Sequence, residues 1–338
     1  MYGYTGRIAK VNLSNGEVSD YPFSQQDREK YVGGKILAAK IIYDSVSSRV
    51  DPLSEENPVV ISTSPLTGST APCSSRFNVS TFSPLTGLLL SSNCGGNFGL
   101  HLKRAGFDAL IITGKSLDKV YLDISEVGIE IKDATDLWGK TTGETQELLG
   151  PKRGKLVIGP AGENLVRYAS LFSEERVAGR GGAGTVFGYK NLKGLVASGK
   201  QSIEFHDKEG FKAHNQAWIK QLRSHPMTGE QLPKLGTAGF VRGMQRQHLL
   251  ATKNYARGSY DDYDMLSGQA LREKYLVTNG GCVTCPIHCG RVVEVNGKKV
   301  KGPELETIAL LGSNLLNNDL ESIIRINYLC DEYGLDTI

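Results

Sequence analysis

The sequence predicts an α+β protein in which a β-rich N-terminal domain, residues 1–203, precedes a mostly α-helical region, residues 204–338. Three observations support this prediction. Short alternating or apolar segments separated by turns fill the first part. Apolar residues recur at helical spacing in the second part. A chain of 338 residues is also long for one compact domain, so two domains are expected.

The first domain begins with a predicted hairpin. Arg7–Leu13 and Glu17–Tyr21 alternate apolar and polar residues around the turn Ser14-Asn15-Gly16. Gln26–Val46 has the spacing of a helix, with Gly33-Gly34 as a weak point. The later strands are short and apolar or alternating, and the sequence places them at Pro58–Ser62, Phe77–Phe82, Ala109–Thr113, Val120–Ile124, Ile129–Ile131 and Lys155–Ile158. The motif Ser-Pro-Leu-Thr-Gly occurs at residues 64–68 and 83–87 and predicts two similar turns flanking the strand Phe77–Phe82.

The second region carries four predicted helices. They span His206–Leu222, Asp264–Tyr275, Leu305–Leu316 and Leu320–Tyr333. Between the second and third of them lies a cysteine-rich loop.

Composition excludes several classes of protein. The formal net charge is +3, and the sequence has no basic tract, so a nucleic-acid partner is not expected. No apolar run is long enough to cross a bilayer, and the N-terminus has no apolar signal core. Six cysteines, three of them clustered, suit a reducing cytoplasm better than a disulfide scaffold.

The cysteine-rich loop is the strongest functional signal. Cys282, Cys285 and Cys289 fall within eight residues, and Pro286 follows the second. Thiolates at such spacing hold iron–sulfur clusters, which predicts three of the four ligands of a [4Fe–4S] cluster. A structural zinc site that uses His288 or a more distant histidine is the alternative, and three free buried cysteines are the other. A fourth thiol is not obvious, because only Cys330 follows, on a predicted helix.

Two glycine-dense loops in the first domain form the second signal. They are Ser91–Gly99, which contains Gly95 and Gly96, and Ala178–Gly184, which leads to Lys190 and Lys193. Glycine lets backbone N–H groups approach a phosphate closely. The match of residues 179–184 to the dinucleotide fingerprint is discounted, because no buried strand precedes it and Gly188 interrupts the following helix. Tight turns alone would also explain the glycines, but two such loops with Arg76 and Arg180 favour a phosphate-bearing cofactor.

A set of collinear motifs extends from Tyr4 to the last residue. It includes Tyr4-Thr-Gly-Arg-Ile, Pro65-Leu-Thr-Gly68, Arg76-Phe-Asn-Val, Asn93-Cys-Gly-Gly96, Gly159-Pro-Ala-Gly-Glu-Asn164, Arg180-Gly-Gly-Ala-Gly184, the cysteine loop, Gly302-Pro-Glu304-Leu-Glu306 and Asp331-Glu-Tyr-Gly334-Leu335-Asp336. Together they resemble the N-terminal part of the aldehyde:ferredoxin oxidoreductases, which are tungsten bis-pyranopterin enzymes of anaerobes.

The resemblance implies a fold and a set of roles. The first domain would be a saddle of β-sheets that cradles two pyranopterins sharing one tungsten or molybdenum. Asn93, Gly95 and Gly96 would meet the pterin phosphates and their bridging Mg²⁺, together with the loop Arg180, Gly181, Gly182 and Ala183. Arg76 would lie between cluster and pterin, and Asp331, Gly334 and Leu335 would bind one pterin.

Glu306 resembles the carboxylate that the family places near the tungsten, which makes it a candidate for proton transfer. A buried carboxylate beside an anionic metal centre should have a raised pKa, which suits a general acid or base. The alternative is a carboxylate stabilised by the helix N-terminus in Pro303-Glu-Leu-Glu.

The resemblance implies oxidation of aldehydes to carboxylic acids, with electrons passed through the cluster to ferredoxin. The broader family also reduces carboxylic acids or aromatic thioesters. A non-catalytic cofactor-binding or electron-transfer subunit, or an inactive remnant, is the alternative from another class. Arg325 replaces a glutamate that binds an intersubunit iron in some members, so a homodimer built on that iron is in doubt. The family's fourth cluster cysteine and second pterin motif lie further on, so a partial or split enzyme that needs a C-terminal segment or subunit is expected.

Overall fold

A computed structural model describes residues 2–46 and 50–338 of the protein. The chain forms two compact units, Met1–Phe211 with Glu332–Asp336, and Lys212–Asp331 with Thr337–Ile338. The architecture is α+β, as the sequence predicts. Sequence reasoning sets the domain boundary after residue 203, whereas the contacts divide the chain after Phe211.

The first unit contains a six-stranded mixed sheet. Its strands are β1 Ile8–Asn12, β2 Val18–Tyr21, β3 Val59–Ser62, β4 Phe77–Phe82, β5 Leu89–Cys94 and β6 Ala109–Thr113, in the order β2-β1-β6-β3-β4-β5. Only the β1–β6 pair is parallel. The helices that accompany this sheet are α1 Gln25–Tyr31, α2 Gly34–Ser45 and α3 Phe98–Arg104. The predicted helix Gln26–Val46 is therefore two helices, separated by Val32 and Gly33. The break includes Gly33 of the predicted weak point Gly33-Gly34.

A second six-stranded sheet completes the first unit. It contains β7 Val120–Ile124, β8 Ile129–Asp133, β9 Gly154–Val157, β10 Leu171–Ser173, β11 Arg176–Ala178 and β12 Leu192–Ala197, in the order β11-β10-β9-β12-β7-β8. The helices α4 Thr142–Leu148, α5 Pro160–Glu163 and α6 Ala183–Tyr189 lie between these strands in the chain. The discounted dinucleotide fingerprint follows β11, an edge strand that pairs antiparallel with β10, which is not the arrangement of a parallel βαβ unit.

One hydrophobic core joins the two sheets of the first unit. It contains apolar side chains from β4 and α3, such as Phe77 and Phe98, together with Leu171 of β10 and Leu195 of β12. The rings of Phe77 and Phe98 meet edge to face with centroids 5.3 Å apart. The strands β3, β9 and β12 are buried along their whole length, because they lie inside their sheets.

The second unit combines helices with a small sheet. Its helices are α7 Lys208–Ser224, α8 Leu232–Leu235, α9 Val241–Arg246, α10 Gly268–Tyr275, α11 Leu305–Leu311 and α12 Leu320–Tyr333. Sequence reasoning did not predict the antiparallel sheet β13 Leu276–Gly280, β14 Gly290–Val295 and β15 Lys298–Lys301. The sequence contains a hairpin signal, because Asn-Gly at residues 296 and 297 favours a tight turn between two strands. In the structure both residues have the positive φ of such a turn.

No helix within residues 2–46 and 50–338 combines the length and the apolar character needed to cross a bilayer.

The segment Glu332–Asp336 belongs to the first unit because its backbone docks there. Ser170 N donates to Gly334 O at 2.8 Å, and Leu335 forms an antiparallel bridge with Ala169. Gly334 has φ of +82°, and a Cβ there would lie 2.7 Å from Gly159 N. Both the dihedral and the close approach therefore require glycine at position 334.

This contact gives a first prediction. The substitution Gly334→Ala is compared with Gly139→Ala, because Gly139 has φ of +83° and open space around its Cβ position. We expect Gly139→Ala to lower the free energy of unfolding by about 1 kcal/mol through backbone strain alone. Gly334→Ala should cost a further ~1–3 kcal/mol because the new methyl group meets the backbone of Gly159. Denaturant unfolding measures both, and equal costs would contradict the docking of this segment.

Candidate functional site

Arg76 and Asn93 meet at the end of the β4–β5 pair. Asn93 lies on β5 opposite Asn78 of β4, and its side chain is exposed. Arg76 Nε donates to Asn93 Oδ1, and Arg76 Nη2 donates to Asn93 O at 3.2 Å. Asn93 Nδ2 donates in turn to Phe77 O at 3.2 Å. The guanidinium of Arg76 is thus held at the exposed surface with donors left to bind an anion.

The loop Arg180–Ala183 connects β11 to α6 through two left-handed glycines. Gly181 has φ of +79° and Gly182 has φ of +82°. A Cβ on Gly182 would lie 2.0 Å from Arg167 O, so no larger residue fits without a backbone shift. Two hydrogen bonds then fix the loop beside β5: Arg180 N donates to Ser92 Oγ at 3.3 Å, and Ser83 Oγ donates to Gly181 O at 2.7 Å.

The first predicted glycine-dense loop is only partly a loop, because Ser91–Cys94 belong to β5 and Phe98 and Gly99 begin α3. The second glycine-dense loop lies beside that same strand. Ser92, which holds Arg180 N, directly precedes Asn93 on β5. Ser83, which holds Gly181 O, begins the second Ser-Pro-Leu-Thr-Gly turn. Arg76, Asn93 and Arg180 are all exposed in this part of the first unit.

Gly95 and Gly96 follow β5 and are buried. A Cβ on Gly96, where φ is +83°, would lie 2.5 Å from Ser173 Oγ and 2.8 Å from Glu174 Oε2. Asn97 N donates to Glu174 Oε2 at 2.7 Å, which ties this loop to the end of β10. Gly96 is thus held against the end of β10 and the residue that follows it.

Glu174 is a residue that sequence reasoning missed. Burial raises the pKa of its carboxyl, while hydrogen bonds from Asn97 N and Ser173 Oγ partly oppose that shift. Its Oε1 is buried and has no hydrogen-bond partner in the part of the chain that the structure describes. The sequence Ser173-Glu-Glu-Arg gives no sign of this, because two adjacent glutamates after a strand are typical of an exposed turn.

The C-terminal segment adds a carboxylate to the Arg180 loop. Arg180 Nη1 lies 3.1 and 3.2 Å from the two carboxylate oxygens of Asp336. Sequence reasoning named Gly334 and Leu335 of this motif as site residues but not Asp336. Gly334 and Leu335 lie in the first unit, whereas Asp331 lies in the second, where Lys301 Nζ pairs with it at 3.1 Å.

Lys190 and Lys193, to which the second glycine loop leads, are fully buried. Lys190 Nζ donates to Glu55 O at 3.2 Å and to Gly114 O at 2.8 Å, and burial lowers the pKa of its amine to about 8. Lys193 pairs with the Glu163 carboxylate. Both amines therefore hold backbone and side chains of the first unit and are not presented at its surface.

The cysteine loop is the connection between β13 and β14. Cys282, Cys285 and Cys289 are all half-buried, and Cys285 N donates to Cys282 O at 3.1 Å. Thr284 and His288 have positive φ, so the loop turns tightly at two non-glycine residues. Within residues 2–46 and 50–338, no three Cys, His, Asp or Glu side chains are arranged as a metal-binding group. The three sulfurs share one loop but are not placed as a completed ligand set.

A buried arginine lies directly after this loop. Arg291, on β14, is only 5% exposed, and its guanidinium donates to backbone carbonyls of α8 and of the cysteine loop. Burial lowers the pKa of this guanidinium, and the charges of Cys289 and Glu304 oppose that shift. Sequence reasoning did not identify Arg291.

Glu306 lies in the first turn of α11, and its side chain is exposed. The N-cap residue Glu304 accepts a hydrogen bond from Thr237 Oγ1. The hydrogen bonds described for the chain include none to the side chain of Glu306. The buried environment expected for Glu306 is therefore absent from the described residues, and its position matches the alternative of a carboxylate at a helix N-terminus.

Comparison with known proteins covers nearly the whole chain. The family profile described as aldehyde ferredoxin oxidoreductase, N-terminal domain, matches residues 8–199, and the profile for domains 2 and 3 matches residues 213–338. The tungsten-containing aldehyde ferredoxin oxidoreductase of Pyrococcus furiosus is 43% identical over 345 residues, which cover 100% of this chain and 57% of that protein. The protein of the same description from Thermococcus kodakarensis is 42% identical with the same coverage.

Two further similarities concern other substrates. The aliphatic sulfonate oxidoreductase WOR-like subunit of Pyrococcus furiosus is 31% identical over 369 residues, covering 100% of this chain and 58% of that subunit. The active site complex BamBC of benzoyl coenzyme A reductase with 1,5-dienoyl-CoA aligns with a TM-score of 0.86 at 30% identity, over 99% of this chain and 54% of that chain. The chain thus spans a little over half the length of each of these proteins.

Proposed function

Because the chain belongs to the aldehyde ferredoxin oxidoreductase family, we propose that it is part of an oxidoreductase that converts aldehydes to carboxylic acids. The electrons would leave through a [4Fe–4S] cluster to ferredoxin, in the cytoplasm. One observation carries the proposal: an alignment of 43% identity with a tungsten-containing member extends over the entire chain.

We assign the exposed group of Arg76, Asn93 and Arg180 to the phosphates of a tungsten or molybdenum bis-pyranopterin and their bridging Mg²⁺. Two exposed guanidiniums and an amide beside one strand fit such a ligand, because arginine binds phosphate through paired charge-assisted hydrogen bonds. Gly181 and Gly182 let the Arg180 loop lie close to β5, and Ala183, which begins α6, completes it. When bound, the metal centre would supply the two-electron chemistry of aldehyde oxidation.

Gly334 and Leu335, which lie in the docked C-terminal segment, would contact one pterin. Asp336 of the same segment forms an ion pair with Arg180 and holds it in place. Gly96 would support this site through its close approach to Ser173 and Glu174, and we assign the neighbouring Gly95 to the same site. We propose Asp331, which pairs with Lys301 at 3.1 Å, as a further pterin-binding residue.

We assign Cys282, Cys285 and Cys289 to three ligands of the cluster. The donor set fits, because thiolates are the ligands of iron–sulfur clusters and all three lie on one short connection between two paired strands. Cys330, on α12, is not included. We further propose Glu306 for proton transfer, because it lies in the motif Gly302-Pro-Glu304-Leu-Glu306 that resembles the family's carboxylate near the metal, although its side chain is exposed in this structure.

A second candidate function is reduction of an aromatic thioester. It is favoured by the structural similarity to the benzoyl coenzyme A reductase complex, with a TM-score of 0.86 over 99% of the chain. The two functions use opposite directions of electron flow and are separated by the substrates that they accept.

Aldehyde-dependent viologen reduction tests the proposed function. It is measured for the 338-residue chain alone and for the chain co-produced with a segment that matches the remainder of its relatives. We expect no turnover by the chain alone, since it contains one pterin-binding motif and three cluster thiols, and turnover in the combined sample. Oxidation of 1,5-dienoyl-CoA without aldehyde oxidation would favour the second candidate. Rapid aldehyde oxidation by the chain alone would contradict the expectation that a further segment supplies the remaining cluster and pterin ligands.

Iron binding tests the cysteine loop separately. Protein prepared under anoxic, iron-replete conditions should contain iron and sulfide, and serine at Cys282, Cys285 or Cys289 should abolish this because each substitution removes a ligand. Cys330→Ser is the matched control and should leave the iron content unchanged. Stoichiometric zinc with no iron in the unsubstituted protein would show that the zinc alternative is correct.

Pterin content tests the phosphate site. Alanine at Arg76 or Arg180 should weaken pterin binding by about 1.5–3 kcal/mol, which is the contribution of a hydrogen bond to a charged group. Arg7→Ala is the control, because Arg7 is also exposed and pairs with an exposed aspartate, Asp20, at 3.3 Å. If both site variants keep the pterin content of the control, the glycine loops have only a structural role.

A further inference from the structure

We propose that Arg291 is the positioning residue of the cysteine loop, which it holds at both ends while its Nε–H is left to donate to a sulfur of the cluster. The inference rests on the proposed function, because it assigns a role toward the proposed iron–sulfur site. It concerns a residue that lies outside the three cysteine ligands.

The guanidinium of Arg291 binds both ends of the loop. Nη1 donates to Asn279 Oδ1 at 3.0 Å on β13, just before the loop, and to His288 O at 3.2 Å and Gly290 O at 2.6 Å at its end. One planar group therefore fixes the distance between the start and the end of the cysteine-bearing segment. Arginine suits this task because its five donors have a rigid geometry, whereas lysine has three donors at one point.

The same guanidinium anchors the loop to α8. Nη2 donates to Pro233 O at 3.0 Å and also to Leu232 O. Asn279 Nδ2 donates to Pro233 O at 2.8 Å, so the start of the loop is tied to the same carbonyl. Both carbonyls belong to the short helix α8, in which Leu232 O also accepts a hydrogen bond from Gly236 N at 2.9 Å.

One donor of Arg291 remains without an acceptor. Nε is buried and makes no hydrogen bond to any residue in the ranges 2–46 and 50–338. A Cβ built on Gly236 would lie 2.9 Å from Cys289 O and 3.3 Å from Arg291 Nε, which places the Nε group near the backbone of the third cysteine. A buried N–H without a partner costs free energy, and the acceptors that a cluster brings to this loop are sulfurs.

Two consequences follow for a bound cluster. Hydrogen bonds to sulfur and nearby positive charge both stabilise the more negative, reduced form and so raise the reduction potential. A loop that is already fixed at both ends also loses less conformational entropy when the thiolates bind iron. Loss of the arginine geometry should therefore lower the potential and speed the release of iron.

The test compares three variants of the anoxically prepared protein. Arg291→Lys keeps the positive charge but removes Nε–H and the planar donors. Asn279→Ala removes two contacts at an exposed position, the bond from Arg291 Nη1 and the bond to Pro233 O, and keeps Nε. Arg272→Lys is the matched control, because the exposed Arg272 also donates to a carbonyl of α8, Lys234 O at 2.8 Å, but does not touch the cysteine loop.

Three properties are measured: the rate of iron release to a chelator, the reduction potential followed by electron paramagnetic resonance, and amide hydrogen exchange of residues 281–290 in iron-free protein. We expect Arg291→Lys to release iron about tenfold faster, to lower the potential and to speed exchange in the loop. Asn279→Ala should speed exchange and iron release by a smaller factor without changing the potential. Arg272→Lys should match the unsubstituted protein in all three.

Unchanged iron release, potential and loop exchange in Arg291→Lys, in protein that binds iron normally, would overturn this inference and leave the proposed function intact. Equal effects of Arg291→Lys and Arg272→Lys would also overturn it. If the unsubstituted protein binds no iron, the proposed function and the hydrogen bond from Arg291 Nε to a cluster sulfur are both overturned. Faster loop exchange confined to Arg291→Lys and Asn279→Ala would support the role of Arg291 in holding the loop, which does not depend on the metal.

Discussion

The hydrophobic core between the two sheets of the first unit is the constraint on which the rest of that unit depends. Phe77 and Phe98 pack edge to face in this core, and a Cβ on Gly99 would lie 2.9 Å from Phe77 Cβ and 3.0 Å from its ring atom Cδ1. Such close packing fixes the position of β4 relative to α3. Because β5 pairs with β4, the direction of β5 at the start of the loop that leads to α3 is fixed as well. The exposed residues on β5 are therefore positioned by buried apolar residues on its neighbours.

Hydrophobic pattern was sufficient to predict most of the first unit. Strands such as Phe77–Phe82 and Val120–Ile124 are found at their predicted bounds, because they are apolar or strictly alternating and end at turn residues. The third sheet was not predicted although Asn296-Gly297 is a strong hairpin signal, because β13 lacks strict alternation and β15 is mostly lysine. Helix ends were also less predictable: the helix expected to extend to Leu316 ends at Leu311, before Gly312.

The candidate site was predictable only where it follows sequence motifs. Arg76, Asn93 and Arg180 were named from glycine-rich loops and family resemblance, and the fold brings them to one strand. Asp336 and Arg291 act through contacts with residues that are distant in sequence. The acceptors of Arg291 are mostly backbone carbonyls, which every residue type has, so the sequence does not show which residues it binds. Arg291 reaches the carbonyls of Leu232 and Pro233 across the whole of α10 and β13, so no local pattern could have indicated it.

The docking of Glu332–Asp336 onto the first unit has a consequence for biosynthesis. The ribosome adds residues from the N-terminus, so it must complete Lys212–Asp331 before the segment that ends the first unit emerges. Until then the nascent first unit lacks the backbone partner of Ala169 and the carboxylate partner of Arg180. Ala169 and Arg180 therefore acquire these partners only after the second unit has been synthesised.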